Sequence, residues 1–297
     1  MTWLQLRLQG ERANVEALED LLLDAGAVAV TLEDNADNPV LEPAPGETPL
    51  WHQTRLTGLY PADADMQAVL DSLPQQVLAH CKPRVEILED KDWEREWMQH
   101  YQPMRFGQRL WVCPSWLPPP EPEAVNLLLD PGLAFGTGTH PTTALCLTEL
   151  DGLDLAGTRV IDYGCGSGIL ALAALKLGAA EVLGVDNDPQ ALSATRDNAE
   201  RNAIDASHLP VVMPDDAAID HWQRQADIVV ANILAGPLLQ LSDSLLTLLK
   251  PSGTLLLSGL LTTQADELIA HYRPLITLEI AGTQDGWVCL RGTLTAG

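Results

Sequence analysis

The segment "TWLQLRL" at the start of the chain alternates apolar and polar positions, as a half-buried strand does. "NVEALEDLLLDAGA" then sets Val15, Leu18, Leu21 and Leu22 at helical spacing and stops at Gly26. A second strand, "VAVTLED", follows. Beyond a proline-rich stretch at 39–49, "QTRLTGLY" predicts a strand, "DADMQAVLDSLPQQVLAH" a helix and "RVEILE" a last strand. The order βαββαβ is that of the ferredoxin-like split unit, with two helices on one face of an antiparallel sheet. It predicts a small α+β domain over residues 1–88.

Residues 89–123 are rich first in tryptophan and charge, then in proline at 118–122. Proline cannot sit in a helix interior, so a connecting helix followed by an extended linker is expected there. From 124 to 297 the texture changes. "AVNLLLD", "RVIDYG", "EVLGVD", "LPVVMP", "ADIVVANI" and "GTLLLSGL" alternate with helix-like segments such as "GILALAALKLG" and "PQALSATRDNAERN". Continuous Val/Ile/Leu runs between helices indicate parallel strands covered on both faces. The segments flanking "TQDG" near the end predict an antiparallel hairpin. The fold class is therefore α/β: a doubly wound, Rossmann-like sheet with a terminal hairpin, preceded by the α+β unit.

Charge narrows the partners. Lys plus Arg number 17 against 41 Asp plus Glu, a formal net charge of −24. Such a field repels nucleic-acid backbones and is compatible with a basic partner; it serves equally to keep a protein soluble. Direct nucleic-acid binding is not expected. Cysteines 81, 113, 146, 165 and 289 lie far apart with no C-x-x-C pair, which suits a reduced compartment. The first residues lack the pattern of a signal peptide, and no apolar run approaches the roughly 18 residues of a membrane span. A cytoplasmic protein is expected, without membrane attachment, and a monomer.

The chemistry concentrates at "DYGCGSGIL", residues 162–170. In an open α/β sheet, ligands sit beyond the carboxyl ends of the strands where strand order reverses, and "RVIDYG" leads there. A dinucleotide fingerprint G-x-G-x-x-G needs a third glycine at 169, which is Ile; the spacing here is G-x-G-x-G. The next strand ends in Asp186, where a carboxylate can accept both hydroxyls of a ribose. No phosphate-binding G-x-x-x-x-G-K-[ST] occurs. The loop suits an uncharged or zwitterionic nucleoside better than a triphosphate.

"DYGCGSGIL" followed by "GVDNDP" resembles the cofactor motifs of class I S-adenosylmethionine-dependent methyltransferases. Three further stretches, "DPGLAFGTGTHPTT" at 130–143, "NILAGPL" at 232–238 and "LEDKDWEREWM" in the connector, together with the N-terminal βαββαβ order, resemble the PrmA family, which methylates large-subunit ribosomal protein eleven. The resemblance covers essentially the whole chain. It implies S-adenosylmethionine as cofactor, lysine side chains and the N-terminal α-amine of that basic ribosomal protein as acceptors, and a substrate-reading role for the first domain. It also implies that Thr143, Gly164, Gly166, Asp186 and Asn232 contact the cofactor or its surroundings, and that Phe135, Gly136, Thr137, Gly138 and His140 belong to a loop closing over it.

Each of these residues has a plainer reading. Asn232 can steer the amine through its amide oxygen or merely cap the helix near Gly236. Asp186 can cap the helix at Pro189, although Asp188 fits that place better. Asp162 is a structural acceptor for loop amides or a partner of the methionine amino group. His140 is a base or a loop-fixing hydrogen-bond partner. Thr143 meets the methionine carboxylate or serves as a cap. Cys165 reads as packing, and Trp93, Trp97, Trp111 and Trp116 as packing of the connector. No metal cluster is expected.

Overall fold

The structure, a computed structural model, describes residues 2–36, 50–88, 101–130 and 135–294. It divides into two compact units, Met1–Gln99 and His100–Gly297.

In the first unit the strands are β1 (Trp3–Glu11), β2 (Ala29–Asp34), β3 (Gln53–Pro61) and β4 (Arg84–Leu88), in sheet order β2-β3-β1-β4. All three pairings are antiparallel. Leu6, Leu8 and Leu56 of the sheet meet Val15, Leu18 and Leu22 of the helix Val15–Asp24 in a core that excludes water. Buried Tyr60 satisfies its hydroxyl by donating to the Leu22 carbonyl at 3.2 Å. The helix expected over 63–80 is two, Met66–Ser72 and Gln75–His80. Pro74 explains the break: it forces Leu73 into extended backbone (ψ 143°) and removes an amide donor. The predicted connecting helix, with Trp93 and Trp97, lies outside the described residues.

The second unit opens with β5 (Met104–Phe106), β6 (Leu110–Cys113) and β7 (Val125–Leu128), which form their own three-stranded sheet. This corrects two expectations. "AVNLLLD" is not in the main sheet but runs parallel to β6, and the stretch before it is more than an extended linker. The reason is apolar: Phe106, Leu110 and Val112 are buried in the same core as Leu147, Leu150 and Ile169. The proline-rich residues 118–122 form part of the crossover between β6 and β7.

The main sheet contains β8 (Arg159–Tyr163), β9 (Glu181–Val185), β10 (Val211–Val212), β11 (Ala226–Asn232), β12 (Leu249–Leu261), β13 (Leu278–Gln284) and β14 (Trp287–Thr293). Its order is β10-β9-β8-β11-β12-β14-β13. β8 to β12 pair in parallel, and β14 and β13 add the antiparallel hairpin. Val160, Ile161, Val182, Leu183, Val229 and Val230 are 0% exposed, as strands covered on both faces require. The expected single helix after Gly236 is two, Ala235–Gln240 and Ser242–Leu248. Ser242 Oγ turns back to the Leu239 carbonyl at 3.1 Å, a local bond that competes with continuous helix. From β8 the chain winds one way through β9 and β10, then returns to place β11 on the other side. The reversal therefore opens a crevice at the carboxyl ends of β8 and β11.

Candidate functional site

The glycine loop leaves β8 at Tyr163 and is pinned to the end of β9, where the Val185 carbonyl accepts from the amides of Gly164 (2.7 Å) and Cys165 (3.0 Å). Gly164 and Gly166 have φ of +83° and +55°, in the left-handed region that favours glycine. Space is equally restrictive. A Cβ on Gly164 would lie 2.2 Å from Ile233 Cγ2, and one on Gly166 would lie 2.6 Å from the Phe135 carbonyl oxygen. The loop thus presents bare backbone to the crevice and to the segment beginning at Phe135.

Asp186 follows the last residue of β9. Its Oδ2 accepts from the Gly166 amide at 2.8 Å and its Oδ1 from the Asp188 amide at 3.0 Å. Each oxygen keeps a lone pair for another donor. Asp188, not Asp186, caps the helix Pro189–Arg201, accepting from the Gln190 amide at 2.8 Å with proline in the first turn. Asp162 is 0% exposed. Its Oδ2 accepts from the Ala171 amide at 2.9 Å, and its Oδ1 has no partner among the described residues. Burial pushes its carboxyl up to about 7; the Ala171 amide opposes this and the Asp186 charge adds to it. Burial also raises the Cys165 thiol strongly, so this cysteine is no thiolate nucleophile at neutral pH.

Asn232 ends β11. Its Nδ2 donates to Thr143 Oγ1 at 3.2 Å, while its Oδ1 is buried with no partner among the described residues. The capping reading of Asn232 is excluded, since the helix Ala235–Gln240 has Leu234 at its N-cap and no side-chain cap bond. Thr143 is 0% exposed and stands behind Asn232; its neighbour Thr142 lines the crevice instead. Nor does Thr143 cap the helix Pro141–Gly152. His140 does, with Nδ1 accepting from the Thr142 amide at 3.4 Å and lying 2.7 Å from Thr142 Oγ1. Burial lowers the His140 pKa, so the ring is neutral at neutral pH.

Of the segment 135–138, Phe135 lines the crevice and the others hold the segment in place. The Phe135 carbonyl accepts from the Ser167 amide at 2.9 Å, the Gly136 carbonyl from Ser167 Oγ at 2.5 Å, and the Thr137 carbonyl from the Tyr101 hydroxyl. A Cβ on Gly138 would meet Met104 and Phe106. Burial pushes the Tyr101 hydroxyl up to about 12, so it remains a donor.

The crevice has a volume of about 600 Å³ and brings together Gly164, Gly166, Asp186, Asn232, Phe135 and His140. That is the size of a small-molecule pocket. Ile233 and Leu234, from the motif "NILAGPL", line it as well, as do Trp287 and Gly259, which no sequence motif marked. Trp287 stands at the start of β14, far along the chain from every motif. The signal available for Gly259 was only the glycine inside an apolar strand pattern. The unpaired buried acceptor Asn232 Oδ1, beside bare glycine backbone and a half-satisfied carboxylate, fits a nucleoside that carries hydroxyls and an acceptor with an N–H. Among the described residues no group of acidic, histidine or cysteine side chains could hold a metal ion, and no helix is long and apolar enough to cross a membrane.

Comparison with known proteins agrees with this chemistry. The family model "Ribosomal protein L11 methyltransferase (PrmA)" matches residues 2–295. The ribosomal protein L11 methyltransferase of Teredinibacter turnerae is 54% identical over 297 residues, covering 100% of this chain and 98% of the relative. That of Serratia proteamaculans is 54% identical over 294 residues, 98% of this chain and 99% of the relative. The crystal structure of a ribosomal protein L11 methylase from Lactobacillus delbrueckii subsp. bulgaricus matches with a TM-score of 0.58 at 29% identity, covering 66% of this chain and 100% of that one.

Proposed function

Since the chain belongs to the ribosomal protein L11 methyltransferase (PrmA) family, we propose that it transfers methyl groups from S-adenosylmethionine to amines of ribosomal protein L11: lysine side chains, with the N-terminal α-amine as a second acceptor. The observation that carries this reading is Asn232, whose Oδ1 is a buried acceptor without a partner among the described residues, on a strand end beside the glycine loop. When bound, S-adenosylmethionine supplies an electrophilic methyl on a sulfonium. The protein's part is to hold and align.

Asp186 accepts the ribose hydroxyls with the lone pairs left over from Gly166 and Asp188. Gly164 and Gly166 would offer backbone at close approach, and Phe135 would flank the nucleoside from a segment that Gly136, Thr137 and Gly138 hold in place. Asp162 is fully buried outside the lining of the crevice and holds the helix that follows the glycine loop by accepting from the Ala171 amide. Asn232 Oδ1 accepts an N–H from the incoming amine and directs its lone pair, while Thr143 fixes the amide so that the oxygen faces the amine. His140 is not a general base here, because Nδ1 is engaged by Thr142 and the residue caps a helix. None is required. A lysine costs roughly 4.6 kcal/mol to deprotonate at pH 7 and an α-amine about 1, and the proton leaves to water before the amine docks.

The first unit reads the substrate and the second performs the transfer, in the cytoplasm and as a monomer. The net charge of −24 complements a basic protein substrate and opposes nucleic acid. Incubation with methyl-labelled S-adenosylmethionine and a ribosomal-protein fraction tests the reading. Label should appear in L11; label confined to RNA or to small metabolites would overturn it.

A further inference from the structure

Phe135, His140 and Trp287 line the same crevice as Asn232 and make a continuous aromatic wall. His140 is the centre. Its ring lies 5.6 Å from Phe135 at 61° and 4.9 Å from Trp287 at 68°, steeply inclined to both. The three come from two distant parts of the chain, the segment before the helix Pro141–Gly152 and the first residue of β14. Core packing does not account for Phe135, which is 59% exposed. No lysine or arginine is among the residues that line the crevice, and the neutral His140 ring adds no positive charge.

Resting on the methyltransferase reading and deepening it, we propose that this wall is the acceptor-amine subsite, whose ring faces hold the nitrogen as it becomes cationic and favour ammonium groups that already carry methyls. The electron balance explains the need. The amine lone pair forms the new N–C bond, the S–C bond breaks with its pair passing to sulfur, and the nitrogen carries the positive charge until it gives a proton to water, or permanently after a third transfer, when no N–H is left. Aromatic faces attract such a cation, and a methylated ammonium sheds its water more easily than a bare one. Attraction that is present only once charge has developed accelerates the step rather than merely tightening binding. The wall thereby also retains partly methylated lysine for a further round.

The test uses the full-length protein with S-adenosylhomocysteine and two probes, Nα-acetyl-Nε-trimethyllysine methylamide and its isostere with a quaternary carbon in place of the ammonium nitrogen. Calorimetric titration should show the cation bound about 3- to 10-fold more tightly than the neutral isostere. Trp287→Leu should abolish that preference, and Phe135→Leu, at a side chain too exposed to unfold the protein, should reduce it. Trp287→Phe should keep most of it. S-adenosylhomocysteine affinity should stay within about twofold in Trp287→Leu and Trp287→Phe. Equal binding of both probes to the wild type, or an unchanged preference in Trp287→Leu and Phe135→Leu, overturns the proposal while leaving methyl transfer intact. Failure of the wild type to bind S-adenosylhomocysteine overturns both the wall and the reading beneath it.

Discussion

Replacing Asp186 by alanine removes two interactions at once. In the protein alone, its two oxygens each hold a backbone amide, Gly166 at 2.8 Å and Asp188 at 3.0 Å. The same oxygens are the proposed acceptors for ribose. Hydrogen bonds to a charged group contribute about 1.5–3 kcal/mol. Losing the ribose acceptor should therefore weaken S-adenosylmethionine roughly 10- to 150-fold. The Gly166 amide is half-buried and loses its only carboxylate partner, whereas the Asp188 amide lies at the surface and regains water. Thermal stability should fall by about 1–2 kcal/mol, within the usual range for a lost hydrogen bond at such a position. Calorimetric titration of wild type and Asp186→Ala, with a thermal melt of each, separates the two effects. An unchanged dissociation constant in a destabilised variant would show that Asp186 only supports the loop and that the nucleoside lies elsewhere.

Asn232→Ala should slow the first two transfers roughly threefold to tenfold and the third less, because a neutral dimethylamine has no N–H to donate. Single-turnover rates on unmethylated, monomethylated and dimethylated substrate at saturating cofactor measure this, and equal slowing of all three would assign Asn232 to the cofactor. A fragment starting at residue 100 should fold and bind S-adenosylmethionine yet methylate L11 far more slowly than the whole chain; full activity would remove the first unit from substrate reading. A fragment starting at 120 should not fold, as circular dichroism would report, since it lacks buried Phe106, Leu110 and Val112, at about 1.5–3 kcal/mol each. Asp162 titrates near 7 when folded and about 3.9 when unfolded, so between these values the native state holds a proton that the unfolded chain has released. Stability from this group is therefore lost as pH rises from about 4 and is fully lost above about 7. Asp162→Asn, whose Oδ1 can still accept from Ala171, should raise the melting temperature at about pH 8 relative to wild type and not at about pH 4; parallel melting curves across that range would refute the assignment.

The main sheet was legible because each buried parallel strand is a short run of Val, Ile and Leu between helices, and "DYGCGSGIL" with Asp186 marks where the strand order reverses. Asp188 and Pro189 announced their helix start correctly. β5 and β6 were not legible, because strands of three and four residues between tryptophans and prolines carry too little periodicity. Their place is set by burial against Leu147 and Ile169, a contact distant in sequence. Pro74 was visible, yet a continuous apolar spacing on either side of it suggested one helix. At the site, the motifs named the residues but not which of them face the crevice. Thr143 and Asn232 are 89 positions apart, and only folding shows that the threonine stands behind the asparagine. Trp287 reaches the site through the terminal hairpin, whose residues carry no motif.

The most direct test of the central claim is peptide mapping by mass spectrometry of purified, unmethylated ribosomal protein L11 after incubation with this protein and S-adenosylmethionine. Successive methyl additions are expected on lysine side-chain nitrogens, with the N-terminal amine as a further site, and none without the cofactor. L11 recovered without added methyls, from a reaction in which S-adenosylmethionine is shown to be bound, would contradict it.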